Sequence, residues 1–281
     1  MNQNTLGKRF NRGSWFARLP ALSNSDRNDI CVGQVIRDSQ LPITNSQFLI
    51  PFFLYPLSFI LLLYIVSTPI GNLEDITFRA IKTLESVDLI AAEDTRHVQK
   101  LLQKYNIKTK VDSYHSYSDD RKLAKIINLL KENKNIALVS DAGTPGISDP
   151  GYNLIKSALE NNIQIIPIPG PSALLTALVC SGLPMDKFVY LGFLPVKKGR
   201  QTTLESLKEE KRTMIFYESP HRILKTLKDF EKTFGNERQM VIGRELTKIY
   251  EEFLRGTISE IRNHFEKKMP KGEFVIIIKG Y

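Results

Sequence analysis

Cysteine is nearly absent. Cys31 and Cys180 are the only two in 281 residues, and neither has a histidine at ligand spacing. A disulfide framework and a zinc site are both excluded, no metal is expected, and a reducing cytosol is the natural setting. Cys180 ends the apolar run Leu178–Val179–Cys180, which suits a small buried hydrophobe better than a nucleophile. Phosphate signatures are also missing. There is no glycine-rich loop ending in Gly-Lys-Ser or Gly-Lys-Thr, and no strand pattern leads into spaced glycines of the dinucleotide type, which argues against a nucleotide held by its phosphates. Acidic residues are in deficit, 30 against 39 Lys and Arg, leaving a formal charge of +9. That surplus points to an acidic partner such as RNA or anionic lipid, although excess lysine also serves simply to keep a surface soluble.

Charge disappears altogether between Ser39 and Leu73, and much of residues 48–66 is apolar. A membrane span needs about 20 such residues in one helix. Pro51 and Pro56 interrupt this one, and Leu63–Val66 reads as a strand feeding the loop Ser67–Asn72, so too little remains upstream. No stable membrane insertion is expected. Residues 1–47 are rich in Asn, Ser and Arg without an apolar period, so residues 1–62 read as a poorly ordered or non-native leader.

What is present from Leu63 onward is alternation. Strand-like runs at 63–66, 89–92, 136–139 and 163–168 are separated by amphipathic stretches, the clearest carrying Leu123, Ile126, Ile127 and Leu130. This is the pattern of α/β units on a mostly parallel sheet. Past Gly182–Leu183–Pro184 further strands are expected near 188–191, 213–217, 239–242 and 274–278. A helix through Ile223, Leu227 and Phe230 would start at a Ser219 cap with Pro220 in its first turn. The organisation is therefore two α/β lobes, 63–184 and 185–281, with a ligand cleft between them.

Four loops after strands are unusually rich in Gly, Pro, Asp and Ser: 67–75, 140–151, 167–173 and 217–222. Glycine lets backbone approach a ligand, proline stiffens the turn, and open α/β sheets bind small molecules beyond their strand ends. Singly each is a tight turn; four together favour a ligand. Glu93, Asp94, Arg96 and His97 cluster after another strand, as an active-site rim or equally as an exposed helix start capped by Asp94. Gly243–Lys248 offers a second cluster of mixed charge, also readable as a solvated ion pair. Lys197, Lys198, Arg200, Lys211 and Arg212 form the densest basic stretch.

The segments Leu63–Leu73, Ala92–Arg96, Val139–Pro145, Asp149–Gly151, Phe216–Ser219 and Arg244–Lys248 occur in order. Together they resemble the ribosomal RNA small-subunit methyltransferase I family of the tetrapyrrole-methylase superfamily. The resemblance implies two α/β lobes, a homodimer, and S-adenosylmethionine in the interlobe cleft. The implied reaction is methyl transfer to the ribose 2′-oxygen of a decoding-region cytidine of 16S ribosomal RNA in the small ribosomal subunit. Carried over by motif, the cofactor residues are Pro69, Ile70, Ser140, Asp141, Ala142, Pro145, Ser172 and Ala173, with Glu218 and Gly256 from the second lobe. A ribose hydroxyl is a poor nucleophile and gains from a base. Asp94 or Glu218 is the candidate, with Arg96 or Lys248 holding a neighbouring phosphate. Another methyltransferase of the superfamily and a noncatalytic RNA-binding module are the competing readings.

Overall fold

The computed structural model describes residues 61–115, 120–267 and 271–281. All of them fall within one unit, Tyr55–Tyr281. Most of the leader, with its apolar run, lies outside the described residues. Among the described residues no helix is long and apolar enough to cross a membrane.

The first sheet is wholly parallel. Its strands are β1 (Leu62–Val66), β2 (Leu89–Ala92), β3 (Val111–Ser113), β4 (Ile136–Val139) and β5 (Gln164–Ile168), in the order β3-β2-β4-β1-β5. Every residue of β2 and β4 is buried, as expected for strands covered on both faces. The covering helices are α1 (Phe78–Ser86), α2 (Thr95–Lys104), α3 (Asp120–Lys131) and α4 (Tyr152–Glu160). In α3 the residues Ile126, Ile127 and Leu130 form the buried face, with Leu123 packed beside it. Pro167 is tolerated because β5 pairs only with β1 and is an edge strand.

Helix α5 (Ala173–Val179) leads to the second sheet. It contains β6 (Phe188–Phe193), β7 (Thr213–Glu218), β8 (Gln239–Arg244), β9 (Glu252–Thr257) and β10 (Phe274–Ile278), in the order β6-β7-β10-β8-β9. Only β6 and β7 run parallel; the rest are antiparallel. Helices α6 (Arg200–Ser206), α7 (Ile223–Phe234) and α8 (Ile258–Lys267) complete this half. Phe216, Phe230 and Phe274 anchor its core, with Phe216 and Phe230 in tilted ring contact at 5.0 Å.

Two local expectations change. Helix α7 begins at Ile223 after Arg222, without a side-chain cap, and Ser219 acts instead through its carbonyl, which accepts the amides of Arg222 and Ile223. Cys180 is exposed rather than buried, because α5 ends just before it and the following turn carries it out.

Candidate active site

Parallel pairing brings the ends of β1, β2, β4 and β5 to one edge of the first sheet, and three of the flagged loops, 67–75, 140–151 and 167–173, gather there; the fourth, 217–222, follows β7 of the second sheet. The β1 and β4 loops are tied together by paired backbone bonds between Thr68 and Gly143, 2.8 and 3.0 Å long. Thr68 Oγ1 donates to the Ser140 carbonyl at 3.1 Å, and the Ser67 and Thr144 hydroxyls lie 2.9 Å apart. Gly143 adopts φ 78°, a conformation that side chains other than glycine's rarely accept. The β1 loop also meets the loop after β8. Asn72 N–H donates to Thr247 Oγ1 at 3.0 Å, and a Cβ on Gly71 would sit 2.6 Å from Lys248 Cγ.

Where these loops face the second sheet there is a cavity of about 390 Å³. That lies in the usual range of small-molecule sites, roughly 300–1,000 Å³. Its wall takes Ile70, Ala142, Ser172 and Ala173 from one half, and Tyr217, Leu246 and Val275 from the other. Of the sequence-predicted cofactor residues, Ile70, Ala142, Ser172, Ala173 and Glu218 line this space, whereas Pro69, Ser140, Asp141 and Pro145 are not among its lining residues. Asp141 accepts the backbone N–H of Asp94 at 2.9 Å, which ties the loop after β4 to the start of α2. Gly256 is on edge strand β9, outside the lining, where a Cβ would meet the Glu260 carboxylate at 2.7 Å.

The candidate acid–base residues are occupied. Asp94 caps α2, accepting the Arg96 backbone N–H at 2.8 Å, and is forked by the Arg96 guanidinium at 3.1 and 2.7 Å. Hydrogen bonding from Arg96 holds its carboxyl well below the usual range. Arg96 is itself exposed, and its charge is committed to Asp94. Glu218 is buried, accepting from Thr226 Oγ1 at 2.5 Å and the Ser219 N–H at 2.9 Å, with Arg222 Nε 3.4 Å away. Lys248 bridges Glu245 at 3.0 Å and Glu273 at 2.9 Å. Burial works to lower its pKa, but those two carboxylates outweigh it and hold the ammonium protonated.

Sequence reasoning missed the aromatic wall. Tyr190 and Tyr217 stack edge to face at 5.1 Å, Phe193 meets Tyr217 at 5.8 Å, and Tyr217 Oη accepts the Leu174 N–H at 3.1 Å. Tyr190 and Phe193, on a largely apolar strand, read only as core, and Tyr217 opens the flagged loop 217–222 with nothing local to mark it as part of a wall. Asp149 lies in the flagged loop 140–151 without being singled out there, and it does not cap α4, which starts after Gly151 without a side-chain bond. Asp149 lines the cavity. Burial, then the negative charge of Glu93 and of Asp141, push its pKa up to about 7 against a lowering hydrogen bond from Ser140. Burial likewise raises Glu93, with Asp141 adding to the effect. Among the described residues no three His, Cys, Asp or Glu side chains are grouped so as to hold a metal ion.

Two α/β halves meeting at a loop-lined cavity define the class. Residues 62–262 match the family of Tetrapyrrole (Corrin/Porphyrin) Methylases, and the chain belongs to it. Solved structures with this fold include a cobalt precorrin-4 methyltransferase at 17% identity (TM-score 0.59, covering 78% of this chain and 95% of that one). A diphthine synthase matches at 11% identity (TM-score 0.63, covering 78% and 90%). Much nearer in sequence are two proteins named ribosomal RNA small subunit methyltransferase I. The one from Synechocystis is 52% identical, covering 78% of this chain and 79% of the relative; the one from Thermotoga maritima is 51% identical, covering 78% and 98%. The chain is a member of the ribosomal RNA small subunit methyltransferase I family.

Proposed function

We propose that this protein transfers a methyl group from S-adenosylmethionine to the ribose 2′-oxygen of a decoding-region cytidine in 16S ribosomal RNA. The observation that carries the reading is about half identity to proteins named small subunit methyltransferases over 220 and 218 residues, 78% of this chain. The cavity suits the donor. Small side chains at Ala142 and Ala173, and the left-handed Gly143, let backbone approach a flat ligand, while Ile70, Leu246 and Val275 offer apolar contact. When bound, S-adenosylmethionine supplies a methyl group already activated by its positive sulfur. What the chain adds is position. The Thr68–Gly143 bridge and the Asp141–Asp94 bond fix the loops, and the aromatic wall on β6 and β7 offers apolar surface beside the reacting groups.

A cytoplasmic homodimer on small ribosomal subunits is part of the same reading. Leu175 and Val179, one turn apart on α5, are 49% and 62% exposed, and Met185 and Phe188 follow them on the surface. Apolar groups left out in this number suit a second copy of the chain. Mass mapping of 16S ribosomal RNA from a deletion strain tests the function. Loss of one ribose methyl in the decoding region, restored by the gene, is expected; an unchanged methylation map would overturn the reading.

A further inference from the structure

Methylating a hydroxyl releases a proton, and Asp94 and Glu218 are both committed elsewhere: the first to its cap and Arg96, the second to Thr226, Ser219 and Arg222. Asp149 differs. It lines the interlobe cavity from the turn between β4 and α4. That turn is docked against β6. Ser148 is held at φ 63° with its Oγ 2.6 Å from Tyr190 Oη, and the β6 irregularity between Tyr190 and Gly192 makes room for it. A Cβ on Gly192 would come within 3.0 Å of Ser148 Oγ. Strained, docked turns of this kind fix the neighbouring side chain in place.

The titratable groups that face Asp149 come from four elements. Glu93 follows β2 and Asp141 follows β4, while Tyr190 and Tyr217 stand on β6 and β7. The nearby Ser140 hydroxyl works the other way, favouring the ionised form. Two carboxylates crowding a third in a half-buried site favour its protonated form, which is what a proton acceptor needs once the proton arrives.

We propose, resting on the methyl-transfer reading above, that Asp149 is the catalytic base of this site. The acceptor oxygen forms its bond to the methyl carbon, the methyl–sulfur bond breaks with its electron pair on sulfur, and the hydroxyl proton passes to the Asp149 carboxylate. A base titrating close to the working pH is the effective kind, giving up little driving force while still being ionised in part.

The full chain, Asp149→Asn and Glu93→Gln are to be assayed on small subunits that lack the methyl group, across the neutral pH range. Calorimetry with S-adenosylmethionine and thermal melts run alongside. Asp149→Asn is expected to lose about 10²–10⁴-fold in kcat, the span attributed to a positioned base, while its donor affinity stays near wild type. Glu93→Gln removes one crowding charge, so the acidic limb of kcat should move to lower pH with most activity kept. A kcat for folded Asp149→Asn within about threefold of wild type would overturn the assignment, since a base is worth at least about a hundredfold. So would an acidic limb that stays in place in Glu93→Gln, a result that decides even if Asp149→Asn fails to fold. Donor binding by a wild-type chain that leaves the ribose unmethylated would instead overturn the substrate reading.

Discussion

Arg200 and Glu218 share a single hydroxyl. Thr226 Oγ1 accepts from Arg200 Nη2 at 2.7 Å and donates to Glu218 Oε2 at 2.5 Å, linking α6, α7 and the end of β7. Arg200 is closed off further by Asp229 at 2.7 Å and by the Pro195 carbonyl at 3.2 Å. Buried networks of this sort hold only while every member is paired. Thr226→Val keeps the shape and leaves one buried donor of Arg200 and one buried acceptor of Glu218 without a partner, so it should cost about 2–3 kcal/mol. The midpoint of urea unfolding measures this, and kcat per folded molecule should not move. An unchanged midpoint would show that the hydroxyl is replaceable by water.

The pH dependence of stability should carry two opposite signatures. Asp149 titrates near 7 in the folded chain against an ordinary 3.8, so the native state holds that proton more tightly. Its contribution is complete below the ordinary value and is lost as pH rises through about 7. Asp149→Asn should therefore melt higher than wild type in mild alkali, with the gap closing toward acid. Asp94 behaves in reverse. Arg96 depresses its pKa, so its contribution is present above the ordinary 3.8 and disappears as pH falls below it. Asp94→Asn should cost most at neutral pH. Melts over the same pH series would expose either sign as wrong.

The fold was legible where periodicity was strong. Every long apolar strand was visible, but β3 and β9 were not. The first is only Val111–Ser113 and two-thirds polar; the second, Glu252–Thr257, mixes Glu252, Arg255 and Gly256 along an edge. Edge strands carry charge to discourage further pairing, which erases the apolar signal. At the site, the glycine and proline loops announced themselves, since backbone approach demands those residues. Which acid stays free did not, because it depends on partners far along the chain. Glu218 is taken by a threonine on α7 and Asp94 by its own helix start, and no local pattern distinguishes them from Asp149.

The cofactor loop should respond in graded fashion. Gly143→Val forces a β-branched residue into a φ of 78° and distorts the loop, so donor binding should be abolished. Asp141→Ala releases one hydrogen bond from Asp94, loosening the loop rather than blocking the cavity, and should weaken binding only about tenfold. Calorimetry on both variants, with circular dichroism to verify folding, separates the two. Equal losses would mean that Asp141 reaches the donor directly.

Under the proposed function, a phosphate-binding face has fewer cations to draw on than composition suggests, and its test follows from which of them are exposed. Of the densest basic stretch, Arg200 is 6% exposed and bound to Asp229 and Thr226, so reversing its charge would damage the fold rather than the interface. Arg212 is engaged by Glu210 at 2.7 Å. Lys197, Lys198 and Lys211 remain exposed, the first two in the turn that precedes α6, beyond the cavity-lining Phe193. Phosphate contacts release counterions, so each one removed flattens the salt dependence of binding by about 0.7–0.9 in log–log slope. Lys197→Glu with Lys198→Glu should therefore weaken small-subunit binding and reduce that slope by about 1.5, while S-adenosylmethionine affinity and thermal stability stay as they were. Filter binding across a salt series reads the slope directly. A slope identical to wild type would place the phosphate-binding face elsewhere on the molecule and leave these lysines as solvating charge.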